Sequence, residues 1–193
     1  MKEIFEQGEF IAYSEIRLDE AKSPVIKHSI FGISKPTVFI SHKHDDLYDL
    51  KGVIGLLQNN YDVLAYIDSR DSTMPAVTSA KTAINIKNRI IECDKFILLA
   101  TNSAIESKWC NWELGFGDAQ KYEKHIAIFP MKPAGKTDAA YRGSEYMDIY
   151  PHIVHSFGFE YYGDSYISSP GYYVISHRNN KRVIPLKDWL YSK

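Results

Sequence analysis

Lys95-Phe96-Ile97-Leu98-Leu99-Ala100-Thr101-Asn102-Ser103 leads, within a few residues, into Ser107-Lys108-Trp109-Cys110-Asn111-Trp112-Glu113-Leu114. From Phe96 to Ala100 every position is apolar, so a strand there has no wet face. Thr101, Asn102 and Ser103 then supply N-cap chemistry for a helical stretch reaching to roughly Lys124. A strand buried on both sides that runs straight into a helix is the building unit of a parallel α/β sheet.

The same unit recurs on either side. Upstream, Thr37-Val38-Phe39-Ile40 is β-branched and aromatic, bounded by Pro36 and a polar cluster, and reads as a buried strand. Asp45 to Asn59 follows, with Leu47, Leu50, Ile54 and Leu57 on one helical face, and Asn59-Asn60 closing the helix. Asp62-Val63-Leu64-Ala65-Tyr66-Ile67 reads as a second strand and Asp68 to Pro75 as a polar loop. A helix from about Thr78 to Cys93 is expected to turn Ala80, Ala83, Ile84, Ile90 and Ile91 inward. Downstream, His125-Ile126-Ala127-Ile128-Phe129 reads as a fourth strand, ended by Pro130. The expected fold is α/β, a parallel central sheet flanked by helices over residues 35–132. Residues 1–34 form an N-terminal extension, and 133–193 a C-terminal one packed on the same domain.

The flanks have mixed periodicity. Phe10-Ile11-Ala12-Tyr13 fits a strand or part of a helix, and His152 and His155 sit in a segment without clear structure. Tyr172 to Ser176, a polar turn, and Arg182 to Pro185 read as a hairpin, with Trp189 and Leu190 anchoring a last turn.

Bulk properties narrow the function. At 193 residues, 45% hydrophobic and 24% charged, the chain has the composition of one ordinary globular domain. A formal charge of -1 gives no electrostatic reason to expect nucleic acid or an acidic membrane as partner. Cys93 and Cys110 lie in apolar-periodic segments and are expected as buried free thiols. Met1-Lys2-Glu3-Ile4-Phe5-Glu6 lacks the apolar run of a signal peptide, and no stretch nears the ~18 apolar residues of a spanning helix. Cytoplasm is the expected compartment.

Parallel sheets bind ligands at the carboxyl ends of their strands. That rule points to Ser41-His42-Lys43-His44, to the Asp68–Pro75 loop and to the start of the third helix. A helix groups Glu113 with Trp109, four residues before it, and with the adjacent Trp112. Indoles raise a carboxyl pKa by desolvation and suit a flat heterocycle or a developing cation. The plainer alternative sends the tryptophans into the core and leaves Glu113 at the solvent edge. Ser41 to Asp46 offers a hydroxyl, backbone N–H groups and cations to a phosphate; the plainer alternative makes Asp45 or Asp46 a simple cap. The histidine spacing supports no metal site, and no nucleophile elbow is present.

In order along the chain, three segments resemble the Toll/interleukin-1 receptor (TIR) domain family of bacterial type. Val38-Phe39-Ile40-Ser41-His42 is similar to its opening box. Tyr66-Ile67-Asp68 and the loop behind it resemble its second strand and BB loop. Asp94 to Ser103 followed by Ser107 to Leu114 resembles its third strand and W-C-x-x-E box. The resemblance spans roughly residues 35–132 and implies a flavodoxin-like TIR fold. It further implies that Glu113 is the catalytic glutamate of an NAD-cleaving member, with Ser41, His42, Lys43, Asp68, Arg70, Trp109 and Trp112 contacting NAD as substrate, without metal or other cofactor. Self-association is implied too, because the BB loop often completes a neighbouring subunit's site; Met74-Pro75 stands where many catalytic members carry a glycine. Short length and an isolated TIR unit resemble the proteins of Thoeris-type antiphage defence, which make a cyclic ADP-ribose signal for a partner effector. The alternative is a non-catalytic interaction module. A phosphoacceptor receiver domain shares the alternation of strands and helices, but Leu98 to Asn102 lacks the aspartate it needs.

Overall fold

Alternate residues of each apolar run face opposite ways, and the two sets fill two separate cores. In the computed structural model Val38 and Ile40 join Ile97, Leu99, Ala127 and Phe129 in one cluster. Phe39 joins Phe96, Leu98, Ala100, Ile126 and Ile128 in the other. A sheet between two cores needs apolar residues at every position, which is why these strands show no alternation. The structure describes residues 1–14, 29–30, 33–67, 80–143, 145–177 and 182–193.

In chain order the strands are β1 (Phe5–Glu6), β2 (Ser29–Ile30), β3 (Ile33–Ser34), β4 (Thr37–Ser41), β5 (Leu64–Ile67), β6 (Lys95–Ala100) and β7 (Ile126–Lys132), then β8 (His152–Ser156), β9 (Glu160–Tyr162), β10 (Ser165–Ile167), β11 (Gly171–Ile175) and β12 (Val183–Pro185). The helices are α1 (Leu47–Tyr61), α2 (Ala80–Glu92), α3 (Asn102–Ile105), α4 (Lys108–Lys121) and α5 (Leu186–Tyr191). The main sheet runs β12-β11-β8-β7-β6-β4-β5, with β1 added to β7. From β5 to β8 all pairings are parallel, whereas β11 and β12 are antiparallel. This is the doubly wound α/β class in flavodoxin order, with its fifth parallel strand drawn from beyond residue 132. Among the described residues no helix is long and apolar enough to cross a membrane.

Helix α1 buries Leu50, Ile54 and Leu57 as its spacing requires. Phe10 to Tyr13 is neither strand nor α-helix: Ile11–Tyr13 is a 3-10 turn lying against α1. Both cysteines are buried free thiols. Trp189 and Leu190 are buried in the first core, and the indole of Trp189 donates to the carbonyl of Lys124 at 2.9 Å.

Three expectations need correction. Ala80, Ile84 and Ile91 do not face inward; Ile84 and Ile91 are 57% and 52% exposed, while Ile86 and Ile90 are buried. At 100° per residue Ile84 sits about 200° around the helix from Ile86, so a stripe fixed by Ile86 and Ile90 turns Ile84 outward. Pro130 does not end its strand: it pairs with Ala100 inside β7, and β7 continues because β1 takes Met131 and Lys132 as partners. The third helical stretch is two helices. Thr101 caps α3 by accepting from the Ala104 N–H at 3.1 Å, and Ser107 caps α4 by accepting from Cys110 N–H at 3.4 Å, so a second cap restarts the helix. The Asp68–Pro75 loop and the turn around Arg178–Lys181 lie outside the described residues.

Two local features carry predictions. Tyr122, at the end of α4, has φ 60° and ψ 156°, a region that an L-residue enters only under strain, and its side chain is 72% exposed. Tyr122→Gly is therefore expected to stabilise the fold by about 1 kcal/mol, read as a higher urea midpoint; an unchanged or lower midpoint would contradict the strain.

The second lies at the amino-terminal end of the sheet. Lys95 is fully buried, and its Nζ donates to His125 Nδ1 at 2.7 Å and to the carbonyl and hydroxyl of Ser192, each at 2.9 Å. Burial holds the Lys95 ammonium down to about 8 and His125 down to about 4. Between pH 8 and the unfolded lysine value near 10.4, the native chain has released a proton that the unfolded chain still binds, so stability rises with pH across that window. Wild type is expected to gain up to about 3 kcal/mol on Lys95→Met from pH 7.5 to 10. Tyrosine ionisation cancels in the comparison, and parallel pH profiles for the two proteins would refute it.

Candidate active site

Strand order reverses between β5 and β6, on either side of β4, so the crevice beyond the carboxyl ends of β4 and β6 is the place this topology offers a ligand. Ser41 is the last residue of β4 and is buried. Glu113 lies in the second turn of α4 and is 1% exposed. The Ser41 hydroxyl donates to Glu113 Oε2 at 2.5 Å. Two residues 72 apart in sequence thus meet at the switch point. A hydrogen bond to the carboxylate favours its charged form, whereas burial opposes it. The solvent-edge placement of Glu113 is excluded.

Around this pair, α4 supplies Trp109 and Cys110 from the preceding turn. Cys110 is buried, and burial pushes its thiol pKa up; the Ser107 and Ser41 hydroxyls oppose that shift, and the carboxylate of Glu113 adds to it. Trp109 and Trp112 are half-buried with ring centroids 4.8 Å apart. Trp112 continues into a stack on Phe116 at 6.1 Å, and Lys87 of α2 lies 5.8 Å from Trp112 and 5.0 Å from Phe116. That row packs α4 on α2, so Trp112 has a structural task whatever else it does. His42 and Lys43 follow Ser41 into the crevice and are half-buried; His42 Nδ1 lies 3.4 Å from the carbonyl of Ile40. Asp68 and Arg70 lie outside the described residues.

One group was missed. Asp46 is 4% exposed and does not cap α1 with its side chain. It accepts from the Thr101 hydroxyl at 2.5 Å and from the Ser103 hydroxyl at 3.0 Å, tying the loop after β4 to the end of β6. Burial raises the Asp46 carboxyl, and the two hydroxyls oppose the rise. The signal was a threonine and a serine closing one parallel strand and an aspartate just after its neighbour. Adjacent parallel strands bring such residues to one rim. Among the described residues no group of three or more His, Cys, Asp or Glu side chains could hold a metal ion.

No family model matches the chain. It is 25% identical over 175 residues to a protein of Bacillus cereus (strain MSX-D12) named probable 3′ cyclic ADP-D-ribose synthase ThsB′, covering 90% of this chain and 82% of that one. Two solved structures are looser likenesses. A prokaryotic SEFIR domain is 15% identical with a TM-score of 0.41, covering 66% of this chain and 83% of its own. A 2-desoxiribosyltransferase from Leishmania mexicana is 17% identical with a TM-score of 0.39, covering 57% and 79%. The similarity to ThsB′ thus runs over nearly the whole length of the chain, on a mostly parallel α/β sheet.

Proposed function

We propose that the protein is an NAD-processing enzyme of antiphage defence. It breaks the nicotinamide–ribose bond and closes the ADP-ribosyl product into a cyclic signal for a partner effector. The observation that carries this reading is the buried Ser41–Glu113 pair at the switch point of the sheet. The name of the relative supplies the product class.

The chemistry asks little of the protein. Nicotinamide leaves a cationic pyridinium as a neutral ring, so no general acid is required. The bond electrons depart with nicotinamide, and an oxocarbenium-like centre develops on the ribose. A fixed carboxylate stabilises that charge, and an environment that excludes water strengthens the effect. Glu113 is the group for this role; Ser41 orients it. Attack by a hydroxyl of the same molecule, with loss of its proton, gives a cyclic product, and attack by water gives the linear one. His42, Lys43 and Trp109, with Asp68 and Arg70 from the loop, are the proposed substrate contacts, and assembly of several chains is the proposed route to a complete site. NAD-consuming defence enzymes must stay quiet in healthy cells, so latency is part of the reading.

Incubation of concentrated protein with NAD, with and without soluble extract of infected cells, tests it by chromatography of nicotinamide and ADP-ribose products. Nicotinamide release in either condition is the expected result. Silence in both would favour the non-catalytic module.

A further inference from the structure

Strand β8 pairs with β7 at His152 and Ile128, and β1 takes over the same edge at Met131 and Lys132, so the sheet forks there. Below the fork, beside the residues that lead into β7, lies a cavity of about 330 Å³, the size of a small-ligand pocket. It sits at the amino-terminal end of β7, the opposite end of the parallel strands from Ser41. Val174 and Ile184, directly opposed across β11 and β12, give it an apolar wall beside Trp189 of α5. Lys124, Arg182 and Glu123 bring the charge, and Tyr122 stands with them.

Tyr122 is not there for folding. It follows the last turn of α4 with φ 60° and ψ 156°, a conformation that glycine alone adopts without strain. Just past a helix end, glycine is also the usual residue. Tyrosine in that place destabilises the chain, and a ring that is 72% exposed recovers little of the loss through burial. Strained residues of this kind cluster at ligand clamps, where the conformation aims a side chain that a relaxed backbone would turn away. Here the strained residue belongs to the lining of a cavity.

The charges select the ligand. Lys124 and Arg182 are both exposed, and among the described lining residues these cations face a single carboxylate, Glu123. A further cation lies behind the indole, since Lys95 Nζ is 5.1 Å from the centroid of the Trp189 ring. Asp94, the neighbour of Lys95, is already engaged by the N–H and hydroxyl of Thr37 at 2.9 and 2.7 Å. The balance favours an anion, and the planar fork of an arginine suits a carboxylate. Aliphatic walls and a phenol ring favour a flat apolar body. We propose that this cavity binds a small flat organic carboxylate, its ring against Tyr122 and the Val174–Ile184 wall and its acid group on Lys124 and Arg182. The proposal uses neither Glu113 nor the chemistry assigned to it.

Proton–nitrogen spectra of the tryptophan indoles test it. The chain has three tryptophans, and the Trp189 indole donates at 2.9 Å to the carbonyl of Lys124, a residue of the cavity lining. Three unlabelled probes share one ring and differ in charge: indole-3-acetate, indole-3-acetamide and tryptamine. Indole-3-acetate is expected to move the Trp189 signal saturably at millimolar concentration or below, while Trp109 and Trp112, beside Glu113, stay in place. The amide is expected to need about ten times the concentration, the equivalent of one charge-assisted hydrogen bond, and the amine more still. Because Lys124 and Arg182 are exposed, Lys124→Gln with Arg182→Gln keeps the fold and should bring the acetate to within about twofold of the amide. Tyr122→Gly is expected to raise the urea midpoint and yet weaken indole-3-acetate by about fivefold, the loss of one aromatic contact. A Trp189 signal that indole-3-acetate leaves unmoved would overturn the proposal. So would tryptamine binding as tightly as the acetate, a preference for the acetate that survives loss of both cations, or full affinity in Tyr122→Gly.

Discussion

Glu113→Gln is expected to lower nicotinamide release from NAD by about 10²–10³-fold while leaving the melting temperature unchanged or slightly higher. The two side chains have the same shape, and the Ser41 hydroxyl, 2.5 Å from Oε2 in the wild type, still finds an acceptor on the amide oxygen. Only the charge is lost, and that charge is what a developing oxocarbenium centre needs. A carboxylate that is 1% exposed is also expensive to keep ionised, so folding has little to lose when it becomes neutral. The pairing of an intact melt with a collapsed rate separates a catalytic carboxylate from a structural one. Chromatography of the two proteins at equal concentration, beside their thermal melts, decides it. Equal turnover would remove Glu113 from the mechanism.

Gly55→Ala is expected to destabilise the fold by about 2–3 kcal/mol, a fall of roughly 5–10 °C in melting temperature. Helix propensity alone says the opposite, because alanine is favoured over glycine by about 1 kcal/mol inside a helix. Packing reverses the sign. A Cβ on Gly55 would sit 1.8 Å from the carbonyl oxygen of Tyr13, and one on Gly52 would sit 2.6 Å from that of Phe10. Both obstacles are backbone, which cannot rotate aside, so the N-terminal turn must lift from α1. Gly115, on the exposed side of α4, has nothing within 4 Å of its would-be Cβ. Gly115→Ala is the matched control and should stabilise by up to about 1 kcal/mol. A thermal melt in which both substitutions stabilise would show that the turn is not seated on α1 in solution.

The parts of the fold legible in the sequence are those set by burial on both sides. Val38 to Ile40 and Phe96 to Ala100 leave no choice but interior strands, and the face of α1 follows from Leu50, Ile54 and Leu57. What stayed hidden depended on a partner. Nothing local says that β1 will sit on Met131 and let β7 run through Pro130. Ile84 and Ile91 read as inward because the stripe of α2 is set by Ile86 and by the neighbour that carries Trp112 and Phe116. Strand β8 holds only Ile153 and Val154 between histidines, too few apolar residues to announce a central strand. At the candidate site, local pattern alone put Glu113 at a wet edge. Its burial against Ser41 comes from how two parallel units stack; the strand-end rule pointed to both segments, and the TIR resemblance singled out Glu113. Asp46 looked like a cap for the same reason, since its hydroxyl partners Thr101 and Ser103 come from the helix start that follows the neighbouring strand.

The fork at β7 also has a history in time. Parallel strands close only after long loops have been ordered, which makes their pairing slow and late. Phe5 pairs with Met131 across most of the chain, so the β7 edge at Met131 and Lys132 must wait for residues from the far end to return. Strand β8 cannot fill that edge, because its only partner on β7 is Ile128. Ser41 and Glu113, both mounted on the central strands and helices, have no such wait. During folding the rim that carries Ser41 and Glu113 can therefore be assembled while the opposite edge of β7 is still open, and an open edge is exposed to wrong partners.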